Sequence, residues 1–173
     1  MKLQILKNEI EFNEWLAIAS CSLFPVDEKK ENIYIEPDFR EQMLYNFDYT
    51  LTLRDDFIIS FGPAILLALK NNDGKIIGTV CIRKDYHKHG ACQINNIAIH
   101  SDYRGQGYGK LLIDKTAEVV LNHSDLEYIT LTTDSAREFY RHIGMSFAGV
   151  LDFGEKKRYY FYRKIRWKST LVV

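Results

Sequence analysis

Little in this sequence points to a membrane, an export route or a metal. Its most apolar run, Phe57 to Leu69, is broken by Gly62-Pro63 and is too short to cross a bilayer as a helix. The first residues, M-K-L-Q-I-L-K-N-E-I-E-F, are interrupted by charge too often for a signal peptide. Cysteine is scarce: Cys21, Cys81 and Cys92 are an odd number at no metal-like spacing, so reduced thiols in a cytoplasmic protein are expected. His87-x-His89 alternates as metal ligands can, but has no third ligand nearby and reads as a hairpin loop. Net charge is absent too. With 23 basic and 23 acidic residues there is no electrostatic reason to expect nucleic acid. No internal repeat, low-complexity tract or interdomain linker is visible.

What is present suits one packed domain over residues 1–173. Hydrophobic residues make up 46% and charged residues 27%, enough for a sheet covered by helices. Lys2 to Lys7 reads as a strand, and Phe12, Trp15, Leu16 and Ala19 mark a helix over Glu9 to Ala19, ended by Phe24-Pro25. Pro37-Asp38 resembles a helix start, followed by the stripe Phe39, Met43, Leu44 and Phe47. Ala64 to Lys70, the turn Asn71-Asn72-Asp73-Gly74 and Lys75 to Arg83 form a hairpin, and Ala91 to Ile99 is the next strand. Then come a helix from Lys110 to Asn122, a strand Tyr128 to Thr133, and a helix Ala136 to Ile143 with Ser135 as N-cap and Gly144 as its end. Ser146 to Phe153 and Arg158 to Ile165 close the chain as a hairpin, its basic residues placed on an edge strand. The order β-α-α-β-β-β-α-β-α-β-β predicts an α/β (α+β) fold with a mixed sheet.

The most informative segment is Arg104-Gly105-Gln106-Gly107-Tyr108-Gly109, which joins a strand to a helix N-terminus. Such a turn aims main-chain N–H groups at one point, the helix dipole adds positive potential there, and glycines let an oxygen approach closely. A Walker loop is excluded, since Gly105 and Lys110 are too close and Leu111 follows the lysine. A dinucleotide fingerprint counted from Gly105 would need glycine at Lys110.

Counted from the basic residue, Arg104-x-x-Gly107-x-Gly109 fits the pattern [RQ]-x-x-G-x-[GA]. Ala136-x-x-Phe139-Tyr140-x-x-Ile143-Gly144-Met145 and the aromatic-basic ending Tyr159 to Ile165 follow in order. On these three motifs the chain resembles the GNAT N-acetyltransferase superfamily over about residues 64 to 165. The resemblance implies a mostly antiparallel twisted sheet with helices on both faces, and acetyl-CoA in the splay between the fourth and fifth strands. It implies that the backbone of Ile97, Ala98 and Ile99 pairs with pantetheine, and that Arg104, Gly105, Gln106, Gly107, Tyr108, Gly109 and Lys110 receive the pyrophosphate. Thr133 stands where relatives often carry asparagine, so its hydroxyl or that of Ser135 is a candidate pantetheine ligand, and Met145 replaces a usual phenylalanine.

The function implied is transfer of an acetyl group from acetyl-CoA to a primary amine by direct attack in a ternary complex, the favoured acceptor a small amine. Tyr140 is the candidate general acid for the departing thiolate, and no cysteine or serine is placed as an acyl carrier. Where many relatives carry a glutamate base, this chain has Asn95-Asn96. The base then comes from the acidic stretch Asp27 to Asp56, or the amine arrives neutral. That stretch also carries Tyr34, Phe39, Tyr45, Phe47, Tyr49 and Phe57, a composition that can meet a cationic amine. A catalytically idle acyl-CoA-binding regulatory module is the alternative, and a homodimer stays open.

Overall fold

A computed structural model describes residues 1–23, 35–152, 154 and 156–166. Strand β1 (Lys2–Ile5) leads into helix α1 (Glu9–Leu23), and α2 (Pro37–Leu51) follows. Strands β2 (Ile65–Lys70), β3 (Ile76–Lys84) and β4 (Ala91–Ile99) run next, then α3 (Tyr108–Asn122), β5 (Tyr128–Thr133), α4 (Arg137–His142), β6 (Ser146–Asp152) and β7 (Lys157–Lys164). The element order agrees with the sequence reading. The strands form one seven-stranded sheet in the order β1-β2-β3-β4-β5-β7-β6, antiparallel throughout except for the parallel pair β4–β5.

Alternation along β2 shows why helices occupy both faces. Ile65, Leu67 and Leu69 point into one core with Leu112, Ile113 and Val120 of α3, while Leu66 and Ala68 join the other core with α1 and α2. The α1 stripe works as its spacing predicts: Phe12, Trp15, Leu16 and Ala19 are almost wholly buried. Each large apolar side chain so buried contributes about 1.5–3 kcal/mol. The Trp15 indole N–H also donates to the Leu67 carbonyl at 2.9 Å, tying α1 to β2. The start of α1 is held by Asn8, whose side chain accepts from the Glu11 N–H at 3.0 Å, while the Glu11 carboxylate accepts from the Lys7 N–H. Helix α2 is pinned to β2 by two side chains: Asn46 accepts the Ala64 N–H at 2.9 Å and Thr50 the Leu66 N–H at 3.0 Å.

Several boundaries differ from expectation. Helix α1 runs on to Leu23, and Phe24-Pro25, expected to end it, lies outside the described residues, as does the start of the acidic stretch, Asp27 to Tyr34. Helix α3 begins at Tyr108 rather than Lys110, because Gly107, at φ 83°, already caps it. Ser135 does not cap α4: the Ala136 N–H donates instead to Thr133 Oγ1 at 3.1 Å, so the end of β5 supplies the acceptor. The basic residues of the last hairpin are not on an edge strand. β7 lies between β5 and β6, and the earlier strand β6 is the outer one.

Candidate active site

The parallel pair β4–β5 holds only briefly. Ala91, Cys92 and Gln93 are in register with Tyr128, Ile129 and Thr130, and beyond that point the strands part. β5 continues against β7 up to Thr133, and β4 continues against β3 up to Ile99. The β5-facing edge of β4 from Ile94 onward therefore has no strand partner among the described residues. A β-bulge sharpens the divergence. Cys81 pairs with Asn95 and Thr79 with Ala98, so β4 carries one extra residue, and Asn96 takes the left-handed conformation with φ 52°. The bulge is held from two sides. Thr79 Oγ1 donates to the Asn96 carbonyl at 3.0 Å, and the Asn96 amide reaches the sulfurs of Met43 and Cys81 at 3.2 and 3.6 Å. Gly78 lies under the end of β4, where a Cβ would stand 2.9 Å from Ile99 Cδ1 and 3.2 Å from the Ala98 carbonyl oxygen. A side chain there would push on Ile99 and on the β4 backbone, so glycine suits this close approach of the strands.

Past Ile99 a short 3₁₀ turn (Ser101–Tyr103) delivers the glycine loop to α3. Gly105 and Gly107 have φ 72° and 83°, a region that costs other residues about 1–2 kcal/mol. The main-chain N–H groups of Gly105 to Lys110 donate to no described residue, which leaves six donors at the positive end of α3. Arg104 turns its side chain back, donating from Nε to the Ile99 carbonyl at 2.8 Å and locking loop to strand. Gln106 likewise donates to the Asp102 carbonyl at 3.0 Å, and Lys110 pairs with Asp114 at 2.6 Å.

Loop and parted strands open onto one cleft of about 750 Å3. Of the expected site residues, Ile97, Ala98, Ile99, Arg104, Gly105, Gly107, Gly109, Lys110 and Tyr140 line it. Gln106, turned to the Asp102 carbonyl, Tyr108, packed toward Tyr103, Thr133, engaged with the Ala136 N–H, and the exposed Ser135 do not line it. Tyr140 is 8% exposed, its ring between Phe139 and Phe161 at 5.1 and 6.0 Å. Its hydroxyl bonds to no described residue. Burial pushes its pKa up to about 12, so the phenol is a protonated, unpartnered donor in the cleft wall.

The structure adds lining residues to which sequence reasoning gave no place in the site: Cys21, Tyr103 and His142, with Ala136, Phe139 and Ile143 from the same motif as Tyr140. Phe139 lies 2.9 Å from where a Cβ on Gly109 would stand. Cys21, read from the sequence only as a reduced thiol, lines the cleft from α1, on the sheet face opposite α3. The cleft thus passes between the strands from one face to the other. Cys81 and Cys92 stay buried, and burial raises both thiol pKa values, that of Cys92 to about 12. Among the described residues no carboxylate lines the cleft, and none from the 35–57 segment reaches it. No metal-binding cluster occurs among the described residues, and no described helix is long and apolar enough to cross a membrane.

These features suit a long ligand with an anionic group at the glycine loop and a strand-like arm along β4. Comparison with known proteins gives the same direction. Spermidine N-acetyltransferase from Vibrio cholerae, as a single-site mutant, is 15% identical, with a TM-score of 0.66 over 95% of each chain. An aminoglycoside 6'-N-acetyltransferase complexed with coenzyme A is 14% identical, with a TM-score of 0.67 over 97% of this chain and 99% of that one. An acetyltransferase of the GNAT family from Staphylococcus aureus Mu50 is 19% identical, with a TM-score of 0.63 over 95% and 99%. At such identities these likenesses establish the fold. The model of the acetyltransferase (GNAT) family matches residues 25–145, and the chain belongs to that family.

Proposed function

We propose that this protein is a cytoplasmic, single-domain N-acetyltransferase. It moves the acetyl group of acetyl-CoA to a primary amine by direct attack in a ternary complex. The observation that carries this reading is the meeting, on one cleft, of an unpartnered strand edge, unengaged loop N–H groups and the protonated Tyr140 hydroxyl. When bound, acetyl-CoA supplies the activated acyl group as a thioester. The loop N–H groups of Gly105 to Lys110 are suited to its pyrophosphate, and the open edge of β4 at Ile97 to Ile99 to its amide-bearing arm. A β4 N–H directed at the thioester oxygen stabilises the charge that develops there. As the amine nitrogen bonds to the carbonyl carbon and the C–S bond breaks, Tyr140 gives its proton to the departing sulfur, and the proton that the nitrogen then sheds restores the phenol.

Among the described residues no carboxylate lines the cleft, and Asn96 is occupied by two sulfurs. This supports the reading in which the amine enters as the neutral base, rather than one in which the stretch Asp27 to Asp56 supplies the base. A small amine is the favoured acceptor, in keeping with the spermidine and aminoglycoside acetyltransferases of the same fold. The test is a screen of small amines for CoA release, followed by Tyr140→Phe. Turnover lost while CoA binding is kept supports the enzyme. Asn95-Asn96, standing where many relatives carry a glutamate, favours a second reading, a catalytically idle acyl-CoA sensor, which predicts acetyl-CoA binding with no turnover on any amine.

A further inference from the structure

Cys21 stands apart from the other two cysteines. Cys81 and Cys92 are 2% and 0% exposed within the sheet, whereas Cys21 is partly exposed and lines the cleft together with Ile97, Ala98 and Tyr140. Its position follows from the helix period. Ile18, one turn earlier on α1, is buried in the core that contains Ala98, so the turn holding Cys21 reaches the parted end of β4. A second observation points to a ligand atom in the same cleft: Tyr140, 8% exposed, lines it, and its hydroxyl bonds to no described residue. If Tyr140 protonates the CoA sulfur, as proposed above, that sulfur lies in the cleft whose wall carries the Cys21 thiol.

We infer that Cys21 is a thiolation site for coenzyme A itself, through which oxidised CoA locks the cleft reversibly. The inference rests on the reading of the cleft as the CoA site. Chemically it is thiol–disulfide exchange with coenzyme A disulfide as the oxidant. The Cys21 thiolate attacks one sulfur of the CoA disulfide, a new S–S bond joins Cys21 to one CoA, and the old S–S bond breaks. The second CoA leaves as its thiolate and takes up the proton that Cys21 lost. Cys21 is oxidised and one CoA is reduced, so electrons balance. The retained CoA half fills the site an acyl donor needs, and turnover stops until a small thiol reverses the exchange.

The test incubates the full chain with coenzyme A disulfide and follows intact mass and peptide maps. The expected result is one CoA per chain, on Cys21, released by dithiothreitol and absent from Cys21→Ser. Because the cleft concentrates the reagent, modification should run about tenfold or more faster than with glutathione disulfide at equal concentration, and saturating acetyl-CoA should slow it. Equal rates with the two disulfides would overturn the inference, leaving Cys21 merely accessible, and so would an adduct on Cys81 or Cys92. A protein that acetyl-CoA stabilises against heat, yet takes up no CoA on Cys21, refutes the inference alone. A protein that shows neither effect refutes the reading of the cleft, and this inference falls with it.

Discussion

Replacing Tyr140 by phenylalanine should slow the enzyme and leave it as stable as before, or slightly more so. The hydroxyl is the only thing removed. The ring keeps its neighbours Phe139 and Phe161, so no cavity opens. A dry, unpartnered hydroxyl costs about 1–3 kcal/mol, but this one lines a cleft that water enters, so its removal should gain only about 0–1 kcal/mol. For a domain of this size that is a rise of about 0–4 °C in Tm. A positioned general acid is worth about 10²–10⁴ in rate. An alkyl thiolate, with a pKa of about 8.5, leaves readily without help, so the lower end, about 10²-fold in kcat, is expected. The assay follows the released CoA thiol at saturating acetyl-CoA and amine, with urea unfolding in parallel. KM for acetyl-CoA should stay within about threefold, because an interaction made only in the transition state is what has been removed. Wild-type turnover in the variant would refute the acid role. A loss of more than about 1 kcal/mol would show instead that the hydroxyl has a structural partner.

Gly107→Ala should cost about 1–2 kcal/mol in unfolding free energy, since an alanine must hold φ 83°. It should weaken acetyl-CoA binding as measured by calorimetry. Between pH 6 and 9, log(kcat/KM) should rise with a slope near one for an alkylamine acceptor whose pKa is about 10, and a flat profile would point to a protein base. Tyr140 imposes no fall in that window, because its raised pKa of about 12 keeps it protonated. Stability should move the opposite way. Tyr140 and Cys92, both raised to about 12, hold their protons more tightly folded than unfolded. Their contribution is therefore complete below about pH 8 and lost as pH rises toward 12, visible as falling urea midpoints. Asp85 tests the opposite end of β4, its buried carboxylate accepting from Thr130 Oγ1, from the Tyr160 hydroxyl at 2.6 Å and from the His87 N–H at 2.7 Å. Asp85→Asn should cost about 2–4 kcal/mol by urea unfolding, with the acetyl-CoA affinity unchanged, and a cost under about 1 kcal/mol would contradict this.

Element order was legible because periodicity is local: the α1 stripe and the β2 alternation each declare themselves within a few residues. The glycine loop and Tyr140 were legible because their residue types and spacing carry their chemistry. What stayed hidden depends on contacts distant in sequence. Cys21 reaches the cleft only because α1 lies across β4, which no motif in α1 announces. Gly78 reads as a weak point in a strand until Ala98 and Ile99 are seen to press on it. The Asn96 bulge is a mismatch of register between two strands, so neither strand alone contains it. The outward position of β6 was equally hidden, because a hairpin pattern does not say which strand docks on the sheet. Ser135 does not cap α4, and the Ala136 N–H goes to Thr133 instead because β5 ends within its reach.

The central claim is that acetyl-CoA lies along the parted edge of β4 with its pyrophosphate at the glycine loop. Amide hydrogen exchange with and without acetyl-CoA tests it most directly, read alongside thermal unfolding. At about 100 times Kd the ligand should add about 2.7 kcal/mol, a Tm rise of about 5–11 °C. New protection should concentrate at Ile97 to Ile99 and Gly105 to Lys110, whose loop N–H groups are otherwise unengaged. A thermal shift with protection confined to other segments, or no shift from a folded sample, would contradict the account.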